Sequence, residues 1–182
     1  PPLNSHFSLA EQIINEYKNI EKIIFVPVNS KYQKADLISN EHRYKMLKLA
    51  CDKNEKFDVS RIELDSPRPL YTIETLRIFQ ETYSKYQIAF IIGSDNLKEI
   101  TEELTKDFKI YVLERDKDNI EEILKSNGFL NKNKQAFIKA KDNITSNLSS
   151  TFVRNKLKNG KSVRYLTTDE VVSYIEENKL YK

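Results

Sequence analysis

The chain contains only three glycines, too few to build a Walker loop or the dinucleotide-binding GxGxxG fingerprint. Any phosphate group must therefore be held by other means. No apolar run approaches the length of a membrane span or of a signal-peptide core, so we expect no membrane partner. The single cysteine, Cys51, excludes an internal disulfide and favours a reducing, cytoplasmic setting. Cys51 lies in an apolar-patterned stretch and is interpreted as a small buried hydrophobe.

The length and charge of the chain limit its class. A chain of 182 residues is most simply a single globular domain, here residues 1–182. The net charge of +3 is too small to indicate nucleic acid, and it suits a small anionic ligand equally well. A basic cluster near the C-terminus lacks the interleaved aromatic residues used for base stacking, so we interpret it as a solvated helix face and expect no nucleic-acid partner. That cluster comprises Lys156, Lys158, Lys161 and Arg164.

Short runs rich in Ile, Val and Phe alternate along the chain with longer segments of helical periodicity. This alternation predicts an α/β fold with a doubly wound parallel sheet covered by helices on both sides. Ligands of such sheets sit beyond the carboxyl ends of the strands. The predicted strands are 22–28, 57–64, 87–93, 108–114 and 135–140. The predicted helices are 7–18, 40–53, 72–85, 95–106, 119–127, 150–158 and 168–178.

The order of these elements is unusual at its start. The first predicted helix begins at about residue 7 with no strand ahead of it, whereas a doubly wound domain ordinarily opens with a strand. We therefore expect that the sequence lacks an N-terminal strand of the sheet.

The stretch "NLSSTFVR" predicts an anion-binding helix terminus. Ser149, Ser150 and Thr151 are favourable N-cap residues ahead of an apolar-periodic segment that Gly160 ends. The free amides and the dipole at such a terminus attract anions. Arg154 lies one turn further on, where its guanidinium could fold back to grip a phosphate. The alternative is that the serines only cap the helix and Arg154 is solvated.

The stretch "PPLNSH" at the N-terminus places His6 just before the predicted first helix. A lone histidine is more often a structural or surface residue than a functional one. Its context includes, in this order, "VPVNSKYQK", "HRYKMLKLA", "LYTIETL", "FIIGSDNL", "YVLER" and "LSSTFVR". Together these motifs resemble those of the HxGH-type nucleotidyltransferases, and within them the bacterial nicotinate mononucleotide adenylyltransferases, over nearly the whole chain.

The resemblance implies a Rossmann-like nucleotidyltransferase fold and an adenylyl transfer in NAD biosynthesis. The phosphate of a mononucleotide would attack the α-phosphorus of ATP and release pyrophosphate, with no covalent enzyme intermediate. Catalysis would then consist of positioning and charge neutralisation. ATP is the implied co-substrate, and Mg2+ would be carried by its phosphates without a dedicated protein metal site. Relatives of this kind often form dimers or larger assemblies, so a homo-oligomer is compatible with the resemblance.

The resemblance assigns catalytic roles to two regions. His6 corresponds to the second histidine of HxGH and would donate to the α-phosphate or the leaving oxygens. Arg154, together with Ser149, Ser150 and Thr151, corresponds to the element that holds the triphosphate of ATP.

Four further residues match positions that bind the nucleotides in this family. Gly93 and Asp95 match a G-x-D turn in which the aspartate accepts hydrogen bonds from ribose hydroxyls. An ordinary strand-end turn with Asp95 as a helix cap is the alternative. Tyr71 and Thr72 match a pair that lines the mononucleotide pocket, although Thr72 could be only an N-cap.

Two basic residues complete the implied site. Lys34 matches the basic residue that ends the proline-containing loop, and Arg115 matches the arginine that closes a strand. Either could contact phosphate, although surface cations are usually only solvated.

The chain departs from the family pattern in three ways, the first being the missing strand and glycine-rich turn ahead of Pro1. Leu3 stands in place of the first histidine of HxGH, and Ser5 stands in place of its glycine. Losing such a hydrogen-bond donor typically costs on the order of a few kcal/mol in the transition state. The segment after Asp95 is a few residues shorter than the family's usual one, which carries an aromatic residue that stacks on the pyridine ring, and the chain has no tryptophan. Either part of that loop is absent from the sequence, or recognition of nicotinate is altered.

These departures keep two alternatives open. One is a catalytically degenerate homologue that binds nucleotide without transferring it, which Leu3 supports. The other is adenylyl or cytidylyl transfer to another phosphorylated acceptor, such as phosphopantetheine.

Overall fold

The structure is a computed structural model that describes residues 1–29, 31, 37–114, 118–140 and 148–182. Two compact units form: the first joins Pro1–Leu70 to Leu148–Lys182, and the second is Tyr71–Asn147. The assignment of residues 1–182 to one domain stays a prediction.

Helices and parallel strands alternate along the chain, as the sequence pattern predicts. The α-helices are α1 (Asn4–Glu16), α2 (Asn40–Cys51), α3 (Thr72–Thr82), α4 (Glu102–Asp107), α5 (Ile120–Ser126), α6 (Gly128–Lys132), α7 (Ser150–Lys158) and α8 (Asp169–Glu177). The strands are β1 (Ile23–Phe25), β2 (Phe57–Val59), β3 (Ala89–Gly93), β4 (Lys109–Leu113) and β5 (Phe137–Lys139). Two 3-10 helices occupy Ser94–Glu99 and Lys134–Ala136.

All described strand pairs are parallel, which confirms the α/β class. In the first unit β1 pairs with β2, and in the second unit the strand order is β3-β4-β5. The described strands thus pair as two strands in the first unit and three in the second.

Aromatic side chains hold α1 on the sheet of the first unit. The ring of Phe7 lies 5.4 Å from that of Phe25, which in turn lies 5.4 Å from that of Phe57. Elsewhere in this unit, Met46 of α2 is fully buried in one cluster with Val171 and Ile175 of α8. Apolar burial therefore ties the chain's first 70 residues to its last 35.

The core of the second unit surrounds its central strand. Ile110 and Val112 of β4 are completely buried. They belong to one apolar cluster with Leu76 of α3 and Leu104 of α4. Tyr111 between them is also buried, so three consecutive residues of β4 are covered, as expected for a central parallel strand with helices on both faces.

Several element boundaries differ from the sequence-based prediction. The helix expected over 95–106 divides into a 3-10 helix and α4, because the hydroxyl of Thr101 accepts a hydrogen bond from the amide of Leu104 and starts a new helix. The strand expected over 57–64 ends at Val59, since Arg61–Asp65 forms a turn closed by the amide of Asp65 on the carbonyl of Arg61. Helix α6 was not predicted.

Cys51 should be chemically inert in the folded protein. It is 1% exposed at the end of α2, and burial raises the pKa of its thiol to about 12. Because the thiolate is the nucleophile and the pKa is raised, the thiol stays protonated and unreactive at pH 8. We expect no maleimide labelling under native conditions by intact mass and complete labelling in urea. Rapid native labelling would contradict the buried placement.

Candidate active site

The N-terminus of α7 presents backbone groups that can bind an anion. Ser149 is the N-cap, and its hydroxyl accepts a hydrogen bond of 3.2 Å from the amide of Phe152. The first backbone bond of the helix runs from Val153 to the carbonyl of Ser149. The amides of Ser150 and Thr151 therefore have no acceptor within the helix and point, with the dipole, toward any bound anion.

Arg154 folds back toward the same terminus. Its Nη2 donates to the hydroxyl of Thr151 at 2.9 Å. Its Nε is buried, and in the described part of the chain no acceptor lies within hydrogen-bond distance of that atom. No described carboxylate forms an ion pair with Arg154 either. A half-buried guanidinium with an unmatched N–H is costly until an anion supplies the acceptor.

The N-terminal segment runs against the first turn of α7. The hydroxyl of Ser150 donates to the carbonyl of Pro1 at 3.0 Å. Leu3, which precedes α1, shares a buried cluster with Val153 of α7. These contacts bring the N-termini of α1 and α7 together, so two positive helix ends and Arg154 lie in one region.

His6 lies exposed in the first turn of α1, with its side chain folded back to the backbone. The amide of Leu3 donates to Nδ1 of His6 at 3.2 Å. In the neutral ring this acceptor role assigns the proton to Nε2, which makes Nε2–H a donor for an anion. The hydrogen bond thus fixes both the tautomer and the direction of the imidazole.

Leu3 has a purely apolar environment. The side chain is 1% exposed and packs with Val153, Val163 and Val172. The residue that the resemblance aligns with the first histidine of HxGH is therefore part of the core in this chain. Its burial supplies packing between α7 and α8 where the family pattern has a hydrogen-bond donor.

Arg43 is a candidate site residue that the sequence analysis did not identify. Its guanidinium donates to the carbonyls of Val28 and Ile38 and to the side-chain oxygen of Asn40. Burial raises the pKa of Tyr181 to about 12, while Arg154 and then Arg43 lower it, so both guanidiniums act on one phenol. The sequence did contain an indication: the helix dipole disfavours a cation in the first turn of a helix, so an arginine there suggests a specific role.

In the second unit, Gly93 ends β3 and Asp95 follows in the first turn of a 3-10 helix. Asp95 is exposed, whereas Ser94 is buried and its hydroxyl donates to the carboxylate of Asp118 at 2.7 Å. The N-cap position of this helix belongs to Gly93, so Asp95 is not the cap. Its exposed carboxylate at the carboxyl end of a strand is suitably placed to accept from hydroxyl groups.

Replacing Gly93 tests this turn. A Cβ at position 93 would lie 2.5 Å from Oδ1 of Asp95, so Gly93→Ala must displace that carboxylate. If Asp95 accepts from the ribose of ATP, as the resemblance implies, the KM for ATP should rise by roughly tenfold, the value of one lost hydrogen bond to a charged group. Steady-state pyrophosphate release measures it, with Gly128→Ala as the control, because nothing lies within 4 Å of a Cβ there. If the KM for ATP is unchanged in Gly93→Ala, Asp95 does not contribute to ATP binding.

Tyr71 and Thr72 begin α3, and both are exposed. Tyr71 is the N-cap residue, and its amide donates to the carboxylate of Glu74 at 2.8 Å. Thr72 is the first residue within the helix, so it is not the N-cap. The phenol of Tyr71 is 76% exposed and available for contact with a ligand.

The remaining predicted site residues, Lys34 and Arg115, lie outside the described residues. Over the ranges that the structure describes, no group of three or more His, Cys, Asp or Glu side chains could hold a metal ion. In the same ranges, every helix is too short or too polar to cross a membrane.

Comparison with known proteins identifies the family. The model of the cytidylyltransferase-like family matches residues 1–156 of this chain. This chain belongs to the cytidylyltransferase-like family. Among curated members, it is 32% identical to a probable nicotinate-nucleotide adenylyltransferase of Caldicellulosiruptor saccharolyticus, over 100% of this chain and 94% of the relative. The nicotinate-nucleotide adenylyltransferase of Bacillus subtilis is 31% identical, over 100% of this chain and 93% of its own.

A solved structure confirms the fold of this cytidylyltransferase-like protein. The nicotinic acid mononucleotide adenylyltransferase of Plasmodium falciparum, complexed with APC, superposes with a TM-score of 0.73 at 18% identity. The match covers 100% of this chain and 92% of that one. The family resemblance drawn from the ordered motifs is thereby confirmed, together with the Rossmann-like fold.

Proposed function

We propose that this chain is an adenylyltransferase that transfers AMP from ATP to nicotinate mononucleotide and releases pyrophosphate in NAD biosynthesis. The observation that carries the proposal is the convergence of the N-termini of α1 and α7 around Arg154, whose buried Nε has no described acceptor. The similarity to nicotinate-nucleotide adenylyltransferases, over 93% and 94% of the length of two relatives, supports the same reaction. We further propose that residues 1–182 act as one nucleotidyltransferase domain. The lone cysteine and the use of ATP favour a cytoplasmic setting.

The proposed reaction is an in-line substitution at phosphorus. A phosphate oxygen of the mononucleotide bonds to the α-phosphorus of ATP while the bond from that phosphorus to the bridging oxygen breaks. The leaving pyrophosphate takes the electron pair. Negative charge that develops on these oxygens is stabilised by the amides of Ser150 and Thr151, by the guanidinium of Arg154 and by Nε2–H of His6. Ser149 contributes by capping α7 and setting the direction of those amides.

Four further residues are assigned to nucleotide binding in this proposal, each by its sequence match to the family. Asp95 accepts hydrogen bonds from ribose hydroxyls, with Gly93 permitting its placement. Tyr71 and Thr72 contact the mononucleotide. Lys34 and Arg115 are assigned to phosphate by their sequence match alone. Mg2+ enters with ATP, bound by its phosphate oxygens.

The decisive experiment follows pyrophosphate release by the full chain with MgATP and a series of acceptors. Nicotinate mononucleotide should give the highest kcat/KM, nicotinamide mononucleotide a lower one, and phosphopantetheine none. Product mass should equal that of nicotinate adenine dinucleotide. If the protein prefers phosphopantetheine, the assigned acceptor is wrong but the assigned reaction, adenylyl transfer, is retained. No turnover with any acceptor would reject the enzyme assignment.

A second candidate function is nucleotide binding without transfer. It is favoured by Leu3, because the donor expected at that position is replaced by a core side chain. Calorimetric titration with ATP distinguishes the two functions. Micromolar ATP binding without pyrophosphate release would indicate a binding protein, whereas release that depends on His6 would indicate a catalyst.

A further inference from the structure

Asn4, the first residue of α1, fastens this helix to a distant turn. Its side-chain Nδ2 donates to the carbonyl of Tyr165 at 2.8 Å and to that of Thr167 at 3.2 Å. Its backbone amide donates to the carbonyl of Leu166 at 3.0 Å. One residue therefore binds three consecutive carbonyls that lie more than 160 positions away in the sequence.

The turn that Asn4 binds has an unfavourable backbone conformation. Tyr165 has a φ of +68°, in the left-handed region that costs a non-glycine residue on the order of 1 kcal/mol. Its ring is 83% exposed, so burial of the side chain does not offset that cost. The hydrogen bonds from Asn4 and the bond from the amide of Leu166 to the carbonyl of Val163 hold the turn instead. Such strain persists where surrounding contacts over-determine a conformation that has a use.

His6 depends on the part of α1 that this turn holds. It lies two residues after Asn4, and its Nδ1 accepts from the amide of Leu3, one residue before Asn4. The backbone on both sides of Asn4 thus determines where the imidazole points. Two contacts fix the start of α1: Leu3 is buried in an apolar cluster, and Asn4 is hydrogen-bonded to the turn at residues 165–167.

We propose that Asn4 is a positioning residue for His6: by fixing the first turn of α1 to residues 165–167, it holds Nε2–H of His6 in one orientation toward the α-phosphate. This inference rests on the proposed function. Asn4 touches no substrate in this proposal and acts only through the imidazole. Loss of its two side-chain hydrogen bonds lets the first turn of α1 shift, and small misplacements of a catalytic donor reduce the rate strongly.

The first test is Asn4→Ala, with Asn15→Ala as the matched control. Asn15 lies in the last turn of the same helix, and its side chain donates to Glu11 at 3.5 Å, within the helix. We expect kcat of Asn4→Ala to fall about tenfold with both KM values within about twofold, because a transition-state donor is misplaced while ground-state contacts remain. Asn15→Ala should keep the original kcat. Asn4→Asp should resemble Asn4→Ala, since a carboxylate cannot donate to carbonyl oxygens.

The second test is a double-mutant cycle with His6→Ala. If Asn4 acts through His6, Asn4→Ala has almost no further effect on kcat once the imidazole is gone. Independent tenfold losses that multiply in the double variant would overturn the proposal. So would an unchanged kcat in Asn4→Ala accompanied only by a lower melting temperature.

Failure of the inference can be told apart from failure of the proposed function. Absence of pyrophosphate release by the unsubstituted protein rejects the function, and the role of Asn4 with it. Normal turnover combined with multiplicative losses in the cycle rejects only the role of Asn4.

Discussion

Arg154→Ala should reduce the rate of pyrophosphate release by roughly a hundred- to a thousandfold, the effect typical of removing one donor from a site that stabilises developing charge. The residue contributes a half-buried guanidinium, held by Thr151, with a buried Nε that no described group satisfies. An anion at the N-terminus of α7 gains a charge-assisted hydrogen bond from it. Steady-state kinetics with saturating MgATP and nicotinate mononucleotide measures the loss.

Two further variants separate charge from geometry at this position. Arg154→Lys keeps the positive charge but loses the planar, bidentate guanidinium, so we expect it to lose most of the rate that Arg154→Ala loses. Lys158→Ala removes an exposed cation from the last turn of the same helix and should leave kcat nearly unchanged. Removing a donor from such a site is expected to cost about a few kcal/mol in the transition state. If Arg154→Ala lowers the rate of pyrophosphate release by less than about threefold, the guanidinium takes no part in the reaction.

Local sequence patterns were sufficient for much of the fold. The three hydroxyl residues at 149–151 and Gly160 frame α7, whose bounds of Ser150–Lys158 agree with the prediction. The buried residues of α1, namely Ala10, Ile13 and Ile14, recur at helical spacing. These features depend on capping and periodicity, which are properties of consecutive residues. Strand length was overestimated, because an apolar run does not reveal where pairing with a neighbour stops.

The features that sequence could not supply are long-range. Nothing local to Asn4 indicates that it binds the carbonyls of Tyr165 and Thr167. Nothing local to Arg43 indicates that it reaches the carbonyl of Val28. The resemblance likewise identifies Leu3 as a missing donor but gives no reason why a leucine is suitable there. That reason is tertiary packing, which only the folded chain displays.

The burial of Leu3 leads to a large expected effect on stability. Leu3→Ala should lower the free energy of unfolding by about 2–5 kcal/mol, because a buried leucine leaves a cavity among valine side chains. Leu3→His should cost at least about 2 kcal/mol, since ring nitrogens buried without partners lose their hydrogen bonds to water. Restoring the family's histidine would therefore lower the folded fraction, and activity must be expressed per folded molecule. Urea unfolding followed by far-UV circular dichroism measures both changes.

Leu3→Met provides the matched control for this experiment. It preserves volume and polarity in the cluster with Val153, Val163 and Val172, so its cost should stay below about 1.5 kcal/mol. Val153→Ala in combination with Leu3→Ala should be non-additive, because the two side chains share one cavity. If Leu3→His instead unfolds at the same urea concentration as the unsubstituted protein, the imidazole has found solvent or a partner. Position 3 would then be open to the nucleotide site, and a gain in pyrophosphate release should accompany the substitution.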